Sequence, residues 1–175
     1  MVRVRTATSD DVPAISDINV RGWQAAYRGV FPDEFLNAMD PRRRHAAFAV
    51  AVTSTGHHTA VAFDDDVIGF VGLRPPEPED GDPDRVHEIW GLYVEPTRIG
   101  TGVGRELMSH ALDYLSAGGW EHAILWTLRD VARTCRFYEV AGWHRDGAEK
   151  VWDLPEGNPV TLVRYRFNLV DGANE

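Results

Sequence analysis

The chain has 175 residues, with 18 basic against 27 acidic side chains and a formal net charge of −9. That balance argues against a duplex-binding surface, which needs clustered positive charge, and fits either plain solubility or the attraction of a cationic substrate. A hydrophobic content of 43% supports a packed core, and the single cysteine, Cys135, excludes a disulfide framework and a multi-thiolate metal site.

The opening "MVRVRTATSDD" lacks the apolar run of a signal peptide, and no apolar stretch approaches the ~20 residues of a membrane span. One cytoplasmic domain over residues 1–175 is therefore expected, with no metal, no membrane and no nucleic-acid partner. "VRVRTA" alternates Val2 and Val4 with Arg3 and Arg5, a short strand by its period of two. Thr8, Ser9, Asp10 and Asp11 supply an N-cap and first-turn acids for a helix carrying Val12, Ile15 and Ile18, with Trp23 and Tyr27 one turn apart. Gly29 breaks that helix and another begins after Pro32. "PRRRHAAFAVAV" reads as a further helix, with Arg42, Arg43 and Arg44 as a solvated charged face. "HHTAVAFDDDVIGFVGL" reads as a hairpin turning at Asp64–Asp66, and "RPPEPEDGDPDR" as an exposed loop.

"HEIWGLYV" is a strand that leads into Gly100, Gly102 and Gly104. Val103, Leu107, Met108, Ala111, Leu112 and Leu115 then form the apolar stripe of a helix, closed by the "AGG" at 117–119. "HAILWTL" is a buried-type strand, "VARTCRFYEVAGW" a helix closed by Gly142, and "KVWDLPEGNPVTLVRYRF" a hairpin turning near Glu156–Pro159. This order predicts an α/β fold with a central mixed sheet of about seven strands and about four flanking helices. The middle β-α-β-α portion requires parallel pairing through right-handed crossovers, and the hairpins on either side require antiparallel pairing.

A strand, a glycine loop and a helix N-terminus in succession form an anion site. The first helical amides have no intrahelical acceptor, the helix dipole places positive charge there, and glycine permits close backbone approach. Arg98 and Arg105 flank the loop as charge-assisted donors. No Lys-Ser/Thr follows, so a P-loop is excluded. The third glycine of a dinucleotide fingerprint falls on Arg105 or Leu107, so that reading fails too. A turn that serves only helix–strand packing is the bland alternative.

"LYVEPTRIGTGVGREL" resembles the acyl-CoA loop of the GNAT superfamily of N-acetyltransferases, with Leu92, Val94, Pro96, Gly102 and Gly104 at matching positions. "TCRFYEVAGW" is similar to the family's FYxxxGF/W helix, and the N-terminal strand and helix, with "YRGVFPDEFL", are similar to one bacterial branch. Two positions depart: Ile99 stands where the family usually has Gln or Arg, and Val131 where it often has Asn, with Asp130 beside it. The resemblance implies a GNAT-like fold and acetyl-CoA as cofactor. It implies that the loop of Arg98, Ile99, Gly100, Thr101, Gly102, Val103, Gly104 and Arg105 holds the pyrophosphate. It implies that Leu92, Tyr93 and Val94 pair with the pantetheine arm, near Val131. Homodimers are common in the family.

Amine acetylation has a protonation cost. A lysine-like amine has a pKa of about 10.4, so forming its neutral nucleophile at pH 7 costs about 4.6 kcal/mol, and a general base is useful. Glu88 lies four residues before Leu92, where many family members carry a catalytic glutamate; a strict period of two puts Glu88, Trp90 and Leu92 on one face. A carboxylate paired with an arginine, or solvated at the strand entrance, is the alternative. "HEIWG" does not continue to HExxH, so a zinc-protease site is excluded. Tyr138 matches the family's general acid; a partly buried aromatic with a satisfied hydroxyl is its alternative.

Trp23, Tyr27 and Trp90 are candidates for the acceptor pocket wall, able to hold an ammonium by cation–π contact, and core packing explains them equally. Cys135 reads as a small buried hydrophobe, His57 and His58 as solvated, and the acidic Glu77–Asp84 loop as solvated. The whole predicts an N-acetyltransferase acting on a primary amine of a small molecule or peptide by direct attack. The alternative is a non-catalytic acyl-CoA-binding domain.

Overall fold

The computed structural model describes residues 2–153 and 159–170. Seven strands, β1 (Arg3–Thr6), β2 (His58–Phe63), β3 (Val67–Arg74), β4 (Val86–Val94), β5 (His122–Leu128), β6 (His144–Trp152) and β7 (Val160–Asn168), form one sheet in the order β1-β2-β3-β4-β5-β7-β6. Every neighbouring pair is antiparallel except β4 and β5, which run parallel. Five helices cover it: α1 (Val12–Ala26), α2 (Asp33–Asn37), α3 (His45–Thr53), α4 (Val103–Ala117) and α5 (Ala132–Val140). Each expected helical segment is present, and "PRRRHAAFAVAV" opens with a 3-10 turn over Pro41–Arg44 before α3. Most of the expected β6–β7 turn, at Glu156–Pro159, lies outside the described residues.

Local chemistry fixes the entry to α1. The Thr8 amide donates to Asp11 Oδ2 at 2.8 Å in a capping box, and Arg5 grips the same carboxylate at 2.7 and 2.8 Å. The Arg5 guanidinium holds the Asp11 carboxyl below its ordinary range. Tyr27 caps the far end, and Gly29, at φ +82°, turns the chain away from the helix.

The sheet has two differently used faces. Leu107, Ala111 and Leu115 of α4 pack with Val71, Leu73, Ile89, Leu125 and Tyr165 on one face. On the other, Ile15 and Ile18 of α1 and Phe48 of α3 pack with Val61 and Phe70. Truncating a fully buried leucine such as Leu107 costs about 2–5 kcal/mol, so this packing fixes where α4 begins. A third group joins Phe31 and Leu36 to Leu128, which brings the segment after α1 to the C-terminal end of β5.

Two irregularities open the sheet at its centre. The β4–β5 ladder runs only from Val86–Glu88 to His122–Ile124 and then stops. In β4, Gly91 pairs with Gly72 but Ile89 pairs with Leu73, so Trp90 is an extra, bulged residue. A side chain on Gly72 would lie 2.2 Å from the Trp90 indole; the ring lies across that glycine and needs the space. The bulge breaks the strict alternation expected for β4. Trp90 packs with Phe48 and Phe70 on the α1–α3 face, whereas Leu92 packs on the α4 face. Glu88 and Leu92 therefore do not share a face, which corrects the sequence reading.

Candidate active site

The glycine loop presents open amides at the head of α4. The amides of Ile99, Thr101 and Arg105 are used internally, donating to the carbonyls of Pro96, Arg98 and Gly102 at 3.4, 3.3 and 3.0 Å. Those of Gly100, Gly102, Val103 and Gly104 have no acceptor among the described residues, and no side chain caps the helix. Gly100 at φ +86° and Gly102 at φ +96° adopt the left-handed conformation that turns successive N–H groups to one side. Gly104 is a different case: an added methyl would meet Phe137 at 3.5 Å and Val94 at 3.6 Å, ordinary contacts. Gly104 thus sits where β4, α4 and α5 converge.

The two flanking arginines are not equivalent. Arg98 is held by Asp64 of the β2–β3 turn at 2.6 Å. Arg105 is exposed and makes no ion pair among the described residues. Ile99 projects toward solvent, with 40% of its surface exposed. A diphosphate fits this donor set, which is four unbonded N–H groups at a positive helix end with one free guanidinium beside them.

From the loop, β4 leads back along the gap. Beyond Glu88 the β5-facing edge of β4, including Leu92, Tyr93 and Val94, has no strand neighbour among the described residues. Tyr138 of α5 belongs to the core on that side, with ring centroids 6.2 Å from Trp143 and 5.9 Å from Tyr165. Burial, then the proximity of Tyr93 and Cys135, pushes its phenol well above the ordinary tyrosine range, so it stays protonated. Tyr165 anchors α5 from below: it donates to Glu139 at 2.9 Å and accepts from Arg145 at 3.0 Å. Val131 precedes α5 and packs with the Phe31–Leu128 group. Cys135 is free and buried, as its reading as a small hydrophobe expects.

The opposite face holds the acceptor candidates. Glu88 is only 3% exposed and accepts from Arg74 Nε at 2.8 Å, directly across the β3–β4 ladder. Arg74 also reaches Glu77 at 3.5 Å. Trp23 meets Tyr27 edge-on at 4.9 Å, and its Nε1 donates to the Tyr93 hydroxyl at 2.9 Å. Trp90 sits in the neighbouring group, 5.8 Å from Phe48. Tyr93, stacked on Phe70 at 5.4 Å, links the two groups. The structure thus brings Trp23 and Tyr27 together and places Trp90 in a separate group, joined to them through Tyr93.

Some contributors are not foreseen in the sequence reading. Phe31 and Trp152 join Trp23 at 5.3 and 6.0 Å. Asp80 is not solvated but buried, accepting from Trp126 and Arg164, both at 2.9 Å, so the acidic loop folds over this end of the sheet. Arg44 is half-buried over the Trp23 ring, unlike exposed Arg42 and Arg43. The one available signal is that Arg44 lies a helical turn before the buried Phe48. His58 is also not solvated: it stacks on Tyr114 at 3.8 Å. Among the described residues no group of three or more His, Cys, Asp or Glu could hold a metal ion, and no helix is long and apolar enough to cross a membrane.

A model of the acetyltransferase (GNAT) family matches residues 18–143. The chain belongs to the GNAT acetyltransferase family. The N-acetyltransferase YuaI of Bacillus subtilis is 24% identical over 128 residues, 73% of this chain and 72% of that one. The YncA protein of Salmonella typhimurium, solved with acetyl-CoA, superposes with a TM-score of 0.74 at 22% identity over 97% of this chain and 94% of that one. The PaiA N-acetyltransferase of Thermoplasma acidophilum, solved with coenzyme A, gives 0.71 at 17% identity, covering 96% and 99%. These likenesses establish the GNAT fold. The expected acyltransferase class and acetyl-CoA dependence are borne out at the level of the family.

Proposed function

We propose that this protein transfers an acetyl group from acetyl-CoA to a primary amine of a small molecule or peptide, with Glu88 as general base acting through water and Tyr138 as general acid. One observation carries the reading: the gap between β4 and β5 opens immediately after Glu88 and ends at four unbonded amides. When bound, acetyl-CoA supplies an activated thioester, so the transfer forms a C–N bond, breaks a C–S bond and yields an amide and a thiol.

The residues divide the work. Amides of Gly100, Gly102, Val103 and Gly104, with the Arg105 guanidinium, hold the diphosphate, while Arg98 stays with Asp64 and braces the loop. The unpaired edge at Leu92, Tyr93 and Val94 offers main-chain groups to the pantetheine arm and an N–H to polarise the thioester carbonyl. Glu88 takes the amine proton through water, and Arg74 fixes the orientation of that carboxylate. Tyr138 delivers its proton to the departing sulfur and regains one from solvent. A thiol with a pKa of about 8.5 leaves tolerably without help, so Tyr138 accelerates the step rather than enabling it. Trp23, Tyr27 and Trp90 form the wall against which the acceptor packs. A single buried free cysteine suits a reducing, cytoplasmic setting.

The test is thiol release from acetyl-CoA across a panel of amines, amino acids and peptides. Equal amounts of thiol and acetylated amine support the reading. Cofactor binding without thiol release from any amine above the buffer rate would leave an acyl-CoA-binding module instead.

A further inference from the structure

Four arginines are partly withdrawn from solvent: Arg44, Arg74, Arg164 and Arg166. Three have carboxylate partners. Arg74 pairs with Glu88 at 2.8 Å, Arg164 with Asp80 at 2.9 Å and Asp146 at 2.7 Å, and Arg166 with Asp146 at 3.8 Å. Arg44 has no ion pair and no hydrogen-bond acceptor among the described residues. It touches the face of Trp23, its guanidinium carbon 5.6 Å from the ring centroid. The ring offsets part of the desolvation of this cation but satisfies none of its five N–H donors.

The position of this unfinished site is informative. Arg44 lies one turn before Phe48, which packs on Trp90 at 5.8 Å. Its support, Trp23, is bonded to the hydroxyl of Tyr93 on β4. The guanidinium therefore stands above the acceptor face of β4, the face that carries Glu88 and Trp90. A second cation without a carboxylate partner among the described residues, Lys150, sits 4.0 Å over the Trp126 ring on the same face. A polycationic amine would meet like charge here.

We infer that Arg44 anchors a carboxylate on the acceptor, so that the substrates are carboxylate-bearing amines such as amino acids and their close analogues. The guanidinium fork matches a carboxylate in two parallel hydrogen bonds, and a bound acceptor completes the ion pair that the protein leaves open. This assignment rests on the transfer reading proposed above and narrows its substrate.

The experiment compares matched acceptors, each amino acid against its carboxamide and its decarboxylated amine, using acetyl-CoA and the intact protein. The unmodified protein should favour the carboxylate member by about 10- to 100-fold in kcat/KM, the value of a charge-assisted pair. Arg44→Gln should erase most of that ratio through KM, Arg44→Lys should retain part of it, and coenzyme A affinity should be equal in all three. Arg44→Gln should also unfold at nearly the temperature of the unmodified protein, because among the described residues it gives up the Trp23 contact but no ion pair or hydrogen bond. Equal turnover of the pair members, or an unchanged ratio in Arg44→Gln, would overturn the assignment. Tryptophan fluorescence titrations of the coenzyme A complex separate the two claims. Carboxylate binding that Arg44→Gln abolishes, without any acetylation, upholds the Arg44 site and sinks the transfer reading. Transfer or binding indifferent to the carboxylate sinks the Arg44 site alone.

Discussion

Replacing Glu88 with glutamine isolates the proposed base with little structural cost. Glutamine keeps the volume and still offers an oxygen to Arg74 Nε, now 2.8 Å from the carboxylate. Arg74 is 37% exposed and keeps Glu77, so the stability loss should be about 1 kcal/mol, the difference between a charge-assisted and a neutral hydrogen bond. The kinetic effect should be far larger. A positioned base contributes about 10²- to 10⁴-fold, and without it the variant depends on amine that is already neutral. That fraction rises about tenfold per pH unit below the amine pKa of about 10.4. At pH 7 kcat/KM should fall by at least about 100-fold, and by pH 9 the gap should narrow by one to two orders of magnitude. The assay is thiol release at several pH values for both proteins, with denaturant unfolding as the stability control. A ratio that stays constant from pH 7 to pH 9 would remove Glu88 from the base role, and a ratio near one would remove it from catalysis.

Tyr138→Phe should lower kcat by about 10- to 100-fold while leaving coenzyme A affinity unchanged by calorimetry, because only the proton delivered to sulfur is lost; a selective loss of affinity would make Tyr138 a binding residue. Gly102→Ala forces a side chain into φ +96° at a cost of about 1–2 kcal/mol and should weaken coenzyme A binding at least tenfold. Gly104→Ala, whose methyl finds only ordinary contacts, should bind normally and unfold no more easily, so equal behaviour of the two variants would contradict the loop geometry. Buried His87, packed on Trp120 and near His57 and His58, is pushed down to about 4 by burial and then by those histidines. The unfolded chain therefore binds the extra proton between pH 6.5 and 4. Stability should be complete above the ordinary histidine pKa of about 6.5 and fall by about 3 kcal/mol as pH drops through 4. Denaturant unfolding at several pH values should show a steeper slope than His87→Gln shows, and identical slopes would refute the assignment.

Local pattern made much of the fold legible. The stripe from Val103 to Leu115 and the alternation in the outer strands arise from burying one face of one element, which the sequence records directly. The single parallel pair follows from the intervening α4. What stayed hidden depends on neighbours distant in sequence. Gly91 signals a bulge, but Gly72 on the adjacent strand makes room for Trp90 and so decides that Leu92 changes face. The partner of Glu88 is Arg74, 14 positions away across a ladder whose register that bulge shifts. In "RRR" the three arginines look alike, and only the packing of the turn against α1 withdraws Arg44. Asp80 looks like its acidic neighbours until Trp126 and Arg164 close on it. The glycine loop was readable because its proposed function lies in the main chain, where glycine itself is the signal.

Backbone amide resonances, followed as coenzyme A is added and compared with pantetheine, which lacks the diphosphate, test the central claim most directly. The N–H signals of Gly100, Gly102, Val103 and Gly104 should shift strongly with coenzyme A and hardly with pantetheine. Unmoved signals at those four residues, or equal shifts with both ligands, would contradict it.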